Sequence, residues 1–126
     1  MNSILLVFAG AGLGGVMRHG VNLASARWFG PDFPWGTFSV NVLGSFAMGL
    51  LAGWLALKSG GWPQPMRLFL TTGLLGGFTT FSAFSLDAVM LWERGRMIAA
   101  LAYAGGSVVA SIAALALGLL IVRNAA

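Results

Sequence analysis

Three groups of polar side chains lie in an otherwise apolar chain, and their types suit one task, replacing the water shell of a small ion. Thr37, Asn41 and Ser45 stand four residues apart, as do Tyr103, Ser107 and Ser111, a spacing that puts each set on one face of a helix. The third group lies in residues 76–84, GGFTTFSAF. Asn41 offers an amide NH2, Thr80, Ser82, Ser107 and Ser111 offer hydroxyls, and Tyr103 offers a phenol, all of them donors to an anion. Phe78, Phe81 and Phe84 recur every three residues, and two of them turning their electropositive ring edges inward would add to that field. Each residue also has a plainer role: a helix–helix hydrogen bond for Asn41, core packing for the phenylalanines, and bonding to their own backbone for Ser107 and Ser111.

The run 76–84 sits inside an uncharged stretch from about 68 to 86. Two adjacent glycines weaken a helix, and the hydroxyls after them are polar groups at membrane depth. Non-helical backbone is tolerated there only where protein or a cavity surrounds it. The segment therefore predicts a helix break over 76–80, with released carbonyls able to bind a cation.

Other chemistry is poorly served. The only acids are Asp32, Asp87 and Glu93, the only histidine is His19, and there is no cysteine. No nucleophile, base and orienting group can be assembled from these, so the chain is not expected to be an enzyme. A hard cation would have to be held by backbone oxygens. Thiolate metal sites, disulfides and redox chemistry are excluded.

These groups must be positioned by membrane-spanning helices. The chain has 126 residues, 58% hydrophobic and 8% charged, against about 25% charged in a soluble domain. One span needs about 20 mostly apolar residues, so the chain has room for four spans in a single domain, expected at about 4–26, 35–57, 66–92 and 97–122. The net charge of +4 comes from cations placed mostly at span ends, as interfacial anchors for a lipid bilayer rather than a nucleic-acid surface. No Lys or Arg precedes the first apolar run, which reads as a retained span rather than a secretory signal. Gly10 and Gly14 have the spacing of close helix packing. Trp28, Trp35, Trp62 and Trp92 fall near span ends, Trp54 less tidily. Arg18, inside the first span, either snorkels to the interface or sets a positive potential at a pore mouth.

Orientation is balanced. Lys58, Arg67 and Arg123 fall on one side and Arg27, Arg94 and Arg96 on the other, so the charge rule that sets topology gives no preference. Either the chain inserts both ways and pairs as an antiparallel dimer, which would bring two broken third spans together at the bilayer centre, or span boundaries shifted by a few residues restore a bias. A four-span proton-coupled exporter would need an acid in its first span, and residues 1–31 hold none. A structural or assembly protein without transport is the other alternative.

GGVMR at 14–18, WGTFSVNVLGS at 35–45, TGLLGGFTTFSAF at 72–84 and YAGGSVVAS at 103–111 make the chain resemble the Fluc family of bacterial fluoride channels, also labelled camphor-resistance or chromosome-condensation proteins. The likeness covers nearly the whole chain, and the third motif is highly specific. It implies an all-α, dual-topology homodimer with two antiparallel pores, in the bacterial cytoplasmic membrane, passing fluoride passively outward for fluoride resistance. Asn41 would donate to the ion, Phe81 and Phe84 would supply ring edges, and Tyr103 and Ser107 would line the route with Ser82 and Ser111. The carbonyls of Gly76 and Thr79 from both subunits would hold a structural sodium ion. Arg18 matches the arginine near the end of the family's first span. Ala83 and Asp87 stand where threonine and glutamate are common.

Overall fold

The computed structural model describes residues 2–57 and 63–125, and every regular element among them is helical. Lys58, counted above among the cations, and Trp62, placed above near a span end, lie outside the described residues. Four stretches are long and apolar enough to cross a bilayer: Ser3–Phe29, Trp35–Ala56, Gln64–Glu93 and Met97–Ala125. The helices are α1 (Ser3–Phe29), α2 (Trp35–Leu57), α3 (Gln64–Leu68), α4 (Gly76–Phe78), α5 (Ser82–Glu93) and α6 (Met97–Ala125), with a π-helical segment, Phe69–Leu75, between α3 and α4.

Local chemistry sets the ends of these helices. Asn2 accepts the Ile4 amide at 2.8 Å as the N-cap of α1. Gly30 ends that helix and Gly95 forms the turn before α6, both with φ of 79°, a conformation that glycine adopts without steric cost. The guanidinium of Arg96 donates to the carbonyl of Asp32, tying the α5–α6 turn to the α1–α2 connection.

Small residues then bring the backbones together. A Cβ on Gly118 would lie 2.6 Å from the carbonyl oxygen of Phe46, and one on Gly49 would collide with that of Leu115, so α2 and α6 interlock along their length. The first span meets the third in the same way. A Cβ on Gly10 would lie 2.7 Å from the Phe69 carbonyl, one on Gly14 would lie 2.8 Å from the Phe78 nitrogen and collide with the Leu74 carbonyl, and one on Gly77 would lie 2.5 Å from the Ala11 carbonyl. In lipid, where apolar burial drives no association between helices, such close backbone approach is a principal source of packing.

The buried cluster is small: Leu91, Ala100 and Tyr103, with Phe33, Phe38, Phe84, Ala88 and Ala99 against it. Large apolar side chains such as Ile98 and Phe8 face outward at 85% and 78% exposure, as lipid or another copy of the chain would require.

The third span departs from a plain helix twice. The sequence signals gave no sign of the π-helical turn. There Thr71 Oγ1 donates to the Arg67 carbonyl at 2.7 Å and the Gly76 amide reaches back to the Thr71 carbonyl, a hydroxyl competing with the ladder and a widened turn beside it. The break itself covers residues 79–81, the end of the expected 76–80 and one residue beyond it. Gly76, Gly77 and Phe78 remain helical, and the chain turns extended at Thr79, with φ −86° and ψ 160°. Gly77 is needed for contact with α1 rather than for the break.

Candidate ion pathway at the helix break

The break releases backbone groups, and each can be followed. Thr79 still closes its turn, its amide donating to the Leu75 carbonyl at 3.0 Å and its Oγ1 to the same oxygen at 3.0 Å. The Thr80 amide would continue the helix onto the Gly76 carbonyl, but donates instead to Asn41 Oδ1 at 2.8 Å. Asn41 Nδ2 in turn donates to the Thr80 carbonyl at 3.0 Å. One amide side chain on α2 thus satisfies both backbone groups of the residue at the break. Thr80 Oγ1 accepts the Ala83 amide at 3.2 Å, so that its hydroxyl starts α5 in the manner of an N-cap. That bond takes the donor that would have reached the Thr79 carbonyl. Gly77's carbonyl accepts Arg18 Nε at 3.1 Å. No hydrogen bond to the carbonyls of Gly76 or Thr79 is present among the described residues.

A groove of about 440 Å³ opens beside the break. It is lined by Asn41, Ser45, Gly76, Thr79, Thr80, Phe81, Phe84, Ser107 and Ser111, with Val108 and Ile112. Most of the residues singled out from sequence therefore converge, although they come from α2, the third span and α6.

Their states differ from the plain alternatives in informative ways. Asn41 does bond to another span, at the non-helical Thr80 rather than at a helix, yet an amide NH2 has two hydrogens and the Thr80 carbonyl takes one of them. Ser107 and Ser111 do not bond back to their own helix: the Oγ of each is buried without a hydrogen-bond partner. A buried hydroxyl without a partner is costly and invites a functional explanation. Phe81 is 76% exposed and so is not a core residue of the single chain. Phe84 packs at the edge of the core, with ring centroids 5.5 Å from Phe81 and 5.2 Å from Tyr103. Phe78 plays the packing part, seated against Gly44, where an added Cβ would lie 3.2 Å from its ring.

Tyr103 and Ser82 do not line the groove. Tyr103 is 1% exposed. Its hydroxyl donates to Asp87 Oδ2 at 3.2 Å, and Phe33 meets its ring edge-on at 5.4 Å. Asp87 belongs to a second cavity of about 360 Å³, which Asn22, Ser25, Asp32, Thr37 and Arg94 also line. The Phe84–Tyr103 stack thus links the two: Phe84 faces the groove, and Tyr103 holds a carboxylate of the polar cavity. Ser82 Oγ stands 3.5 Å from Thr80 Oγ1.

The site can offer hydrogen-bond donors from Asn41, Ser107 and Ser111, aromatic rings from Phe81 and Phe84, and two carbonyls, without a carboxylate in its lining. That balance favours an anion over a cation along the groove. Ser107→Ala removes no protein hydrogen bond, so the fold should keep its stability or gain up to about 1 kcal/mol. Any function that uses this hydroxyl as a donor should fall about tenfold. Thermal unfolding and ion flux on the same preparation check both halves.

The family model described as CrcB-like protein, Camphor Resistance (CrcB), matches residues 5–119. The fluoride-specific ion channel FluC of Methylobacterium nodulans is 59% identical over 124 residues, covering 98% of both chains. That of Granulibacter bethesdensis is 56% identical, covering 98% of this chain and 97% of the relative. The FluC 2 channel of Nitrobacter hamburgensis is 57% identical over 120 residues, covering 95% and 96%. By a match that spans the break, the donor-lined groove and nearly all of its length, the chain belongs to the CrcB-like family.

Proposed function

We propose that this protein is a fluoride channel of the bacterial cytoplasmic membrane, working as an antiparallel homodimer and passing fluoride passively. The observation that carries the reading is the pair of buried, unpartnered hydroxyls of Ser107 and Ser111 in the groove that Asn41, Phe81 and Phe84 share. Fluoride gives up a tight water shell only for strong donors at close range. These hydroxyls and the second N–H of Asn41 supply such donors where water is scarce and hydrogen bonds are electrostatically stronger. Exposed on a single chain, Phe81 would face a second copy, and the groove would close between the two. The near balance of cations at the two ends supports opposite orientations of the two copies.

The carbonyls of Gly76 and Thr79 suit a sodium ion. They are hard oxygen ligands, released by the break and accepting no hydrogen bond among the described residues. One chain gives two of them, and two copies would give four. Bound there, sodium would neutralise paired carbonyls at the dimer centre, while Asn41 and Arg18 hold the neighbouring ones.

Substitution at Phe81 and Phe84 tests the proposal against a purely structural role. Phe81→Ala leaves a single-chain core untouched and should still give a membrane-inserted, assembled protein. Its fluoride efflux from proteoliposomes should fall at least about tenfold, the loss of one strong stabilising contact to the ion. Efflux unchanged by both Phe81→Ala and Phe84→Leu would contradict the channel reading.

A further inference from the structure

We infer that Arg18 is a positioning residue that fixes where the third span stops being helical; this deepens the channel reading and rests on it for its functional consequence. Arg18 is not at a span end. It stands eleven residues before the C-terminal end of α1, about 16 Å along the axis at 1.5 Å per residue. Its Nε donates to the carbonyl of Gly77, 59 residues away in sequence, at 3.1 Å, and the contact is part-buried. Neither snorkelling nor a charge at a pore mouth describes that arrangement.

The carbonyl it takes is one that the break orphans. With Thr79 extended, the helical stretch 64–78 ends in carbonyls that lack ladder donors. A cation at a helix C-terminus is favoured by the dipole, and a bond from a charged donor is stronger than a neutral one. The acids Asp32 and Asp87 line the second cavity, and Arg18 is not among its lining residues.

The guanidinium is also held in place. Gly14, one turn before Arg18 on α1, and Ala11, two turns before it, are the residues that meet Leu74, Gly77 and Phe78 backbone to backbone. Arg18 therefore projects from the face of α1 already locked against the end of the first half-span. Asn41 grips the next freed residue, Thr80, from α2. Two side chains from two helices thus clamp the break, one carbonyl each, and leave the Gly76 and Thr79 carbonyls for a ligand. Arg18 need not touch the ion to matter. It acts through the backbone that orients Thr80, Phe81 and the groove.

Hydrogen exchange of residues 76–84, read together with fluoride efflux at varied fluoride concentration and ionic strength, tests this on the purified full chain in liposomes or nanodiscs. In Arg18→Gln those amides should exchange about tenfold faster than in the wild type, the effect of losing one charge-assisted bond. Maximal efflux should fall about tenfold, with half-saturating fluoride within about twofold of wild type at low and high salt. Arg18→Lys keeps a charge and a donor and should restore exchange to within about threefold. Unchanged exchange in Arg18→Gln overturns the inference, and so does a salt-sensitive rise in half-saturating fluoride with exchange unaltered, the signature of a pore-mouth charge. If Arg18→Gln yields no folded protein, Arg18→Lys decides: exchange within threefold supports the role and tenfold faster exchange overturns it. A wild-type chain that passes no fluoride defeats the channel reading alone, because the exchange comparison still reports on Arg18.

Discussion

Asn41→Asp should reduce fluoride efflux by about 100-fold or more, although it changes one NH2 to an oxygen. The wild-type side chain accepts from the Thr80 amide and donates to the Thr80 carbonyl. Aspartate keeps the first bond and sets a carboxylate oxygen against the carbonyl in place of the second. It also adds a negative charge to a groove that otherwise has no carboxylate in its lining. Two effects follow from one atom. The lost bond and facing acceptors destabilise the break by about 1–3 kcal/mol, and the charge repels an anion where screening is weak. A 100-fold loss corresponds to about 2.7 kcal/mol, within reach of the two together. Asn41→Leu separates them: it leaves both Thr80 groups unpaired without adding charge, so its stability should fall further than that of the aspartate variant. Thermal unfolding and efflux on the three proteins give the comparison, and efflux from Asn41→Asp within threefold of wild type would refute the clamp.

Gly14→Ala should be the most damaging single methyl on α1. An added Cβ would lie 2.8 Å from the Phe78 nitrogen and collide with the Leu74 carbonyl. Both neighbours are backbone, and one of them adjoins the break, so relief requires α1 to move away from the third span. Overpacking of this kind typically costs about 1–3 kcal/mol, and here it would also pull Arg18 from Gly77. The variant should be recovered poorly, or as a protein of lower melting temperature without efflux. Gly12→Ala is the control. Nothing within 4 Å surrounds its added Cβ in the single chain, and a helix-interior Gly→Ala change is intrinsically favourable by up to about 1 kcal/mol. Equal behaviour of the two variants would mean that α1 does not rest on the break as described.

What the sequence made legible follows from how each signal is encoded. The four spans are written in hydropathy, which composition and length alone reveal. The polar stripes are written in a four-residue spacing, so Asn41, Ser107 and Ser111 could be assigned to faces before any fold was known. The break was visible as Gly-Gly followed by hydroxyls, but its place was read a little early because glycine has two uses. Gly77 is there to admit Ala11 of α1, while Thr79 makes the turn.

The partners were not legible. Asn41 meets Thr80 across 39 residues and Arg18 meets Gly77 across 59. A pattern within one helix cannot show which carbonyl on another will be orphaned. The same holds for Tyr103, whose stripe placed it with Ser107 although its hydroxyl turns to Asp87. The π-helical turn coincides with a Thr71 hydroxyl bonded to the Arg67 carbonyl, a pairing that propensity does not reveal.

The most direct test of the central claim is anion efflux from liposomes that contain only this protein, loaded with fluoride or with chloride and with no proton gradient imposed. The donor-lined groove should give fast fluoride efflux and nearly exclude chloride. Efflux that requires a proton gradient, or that passes chloride as readily as fluoride, would contradict it.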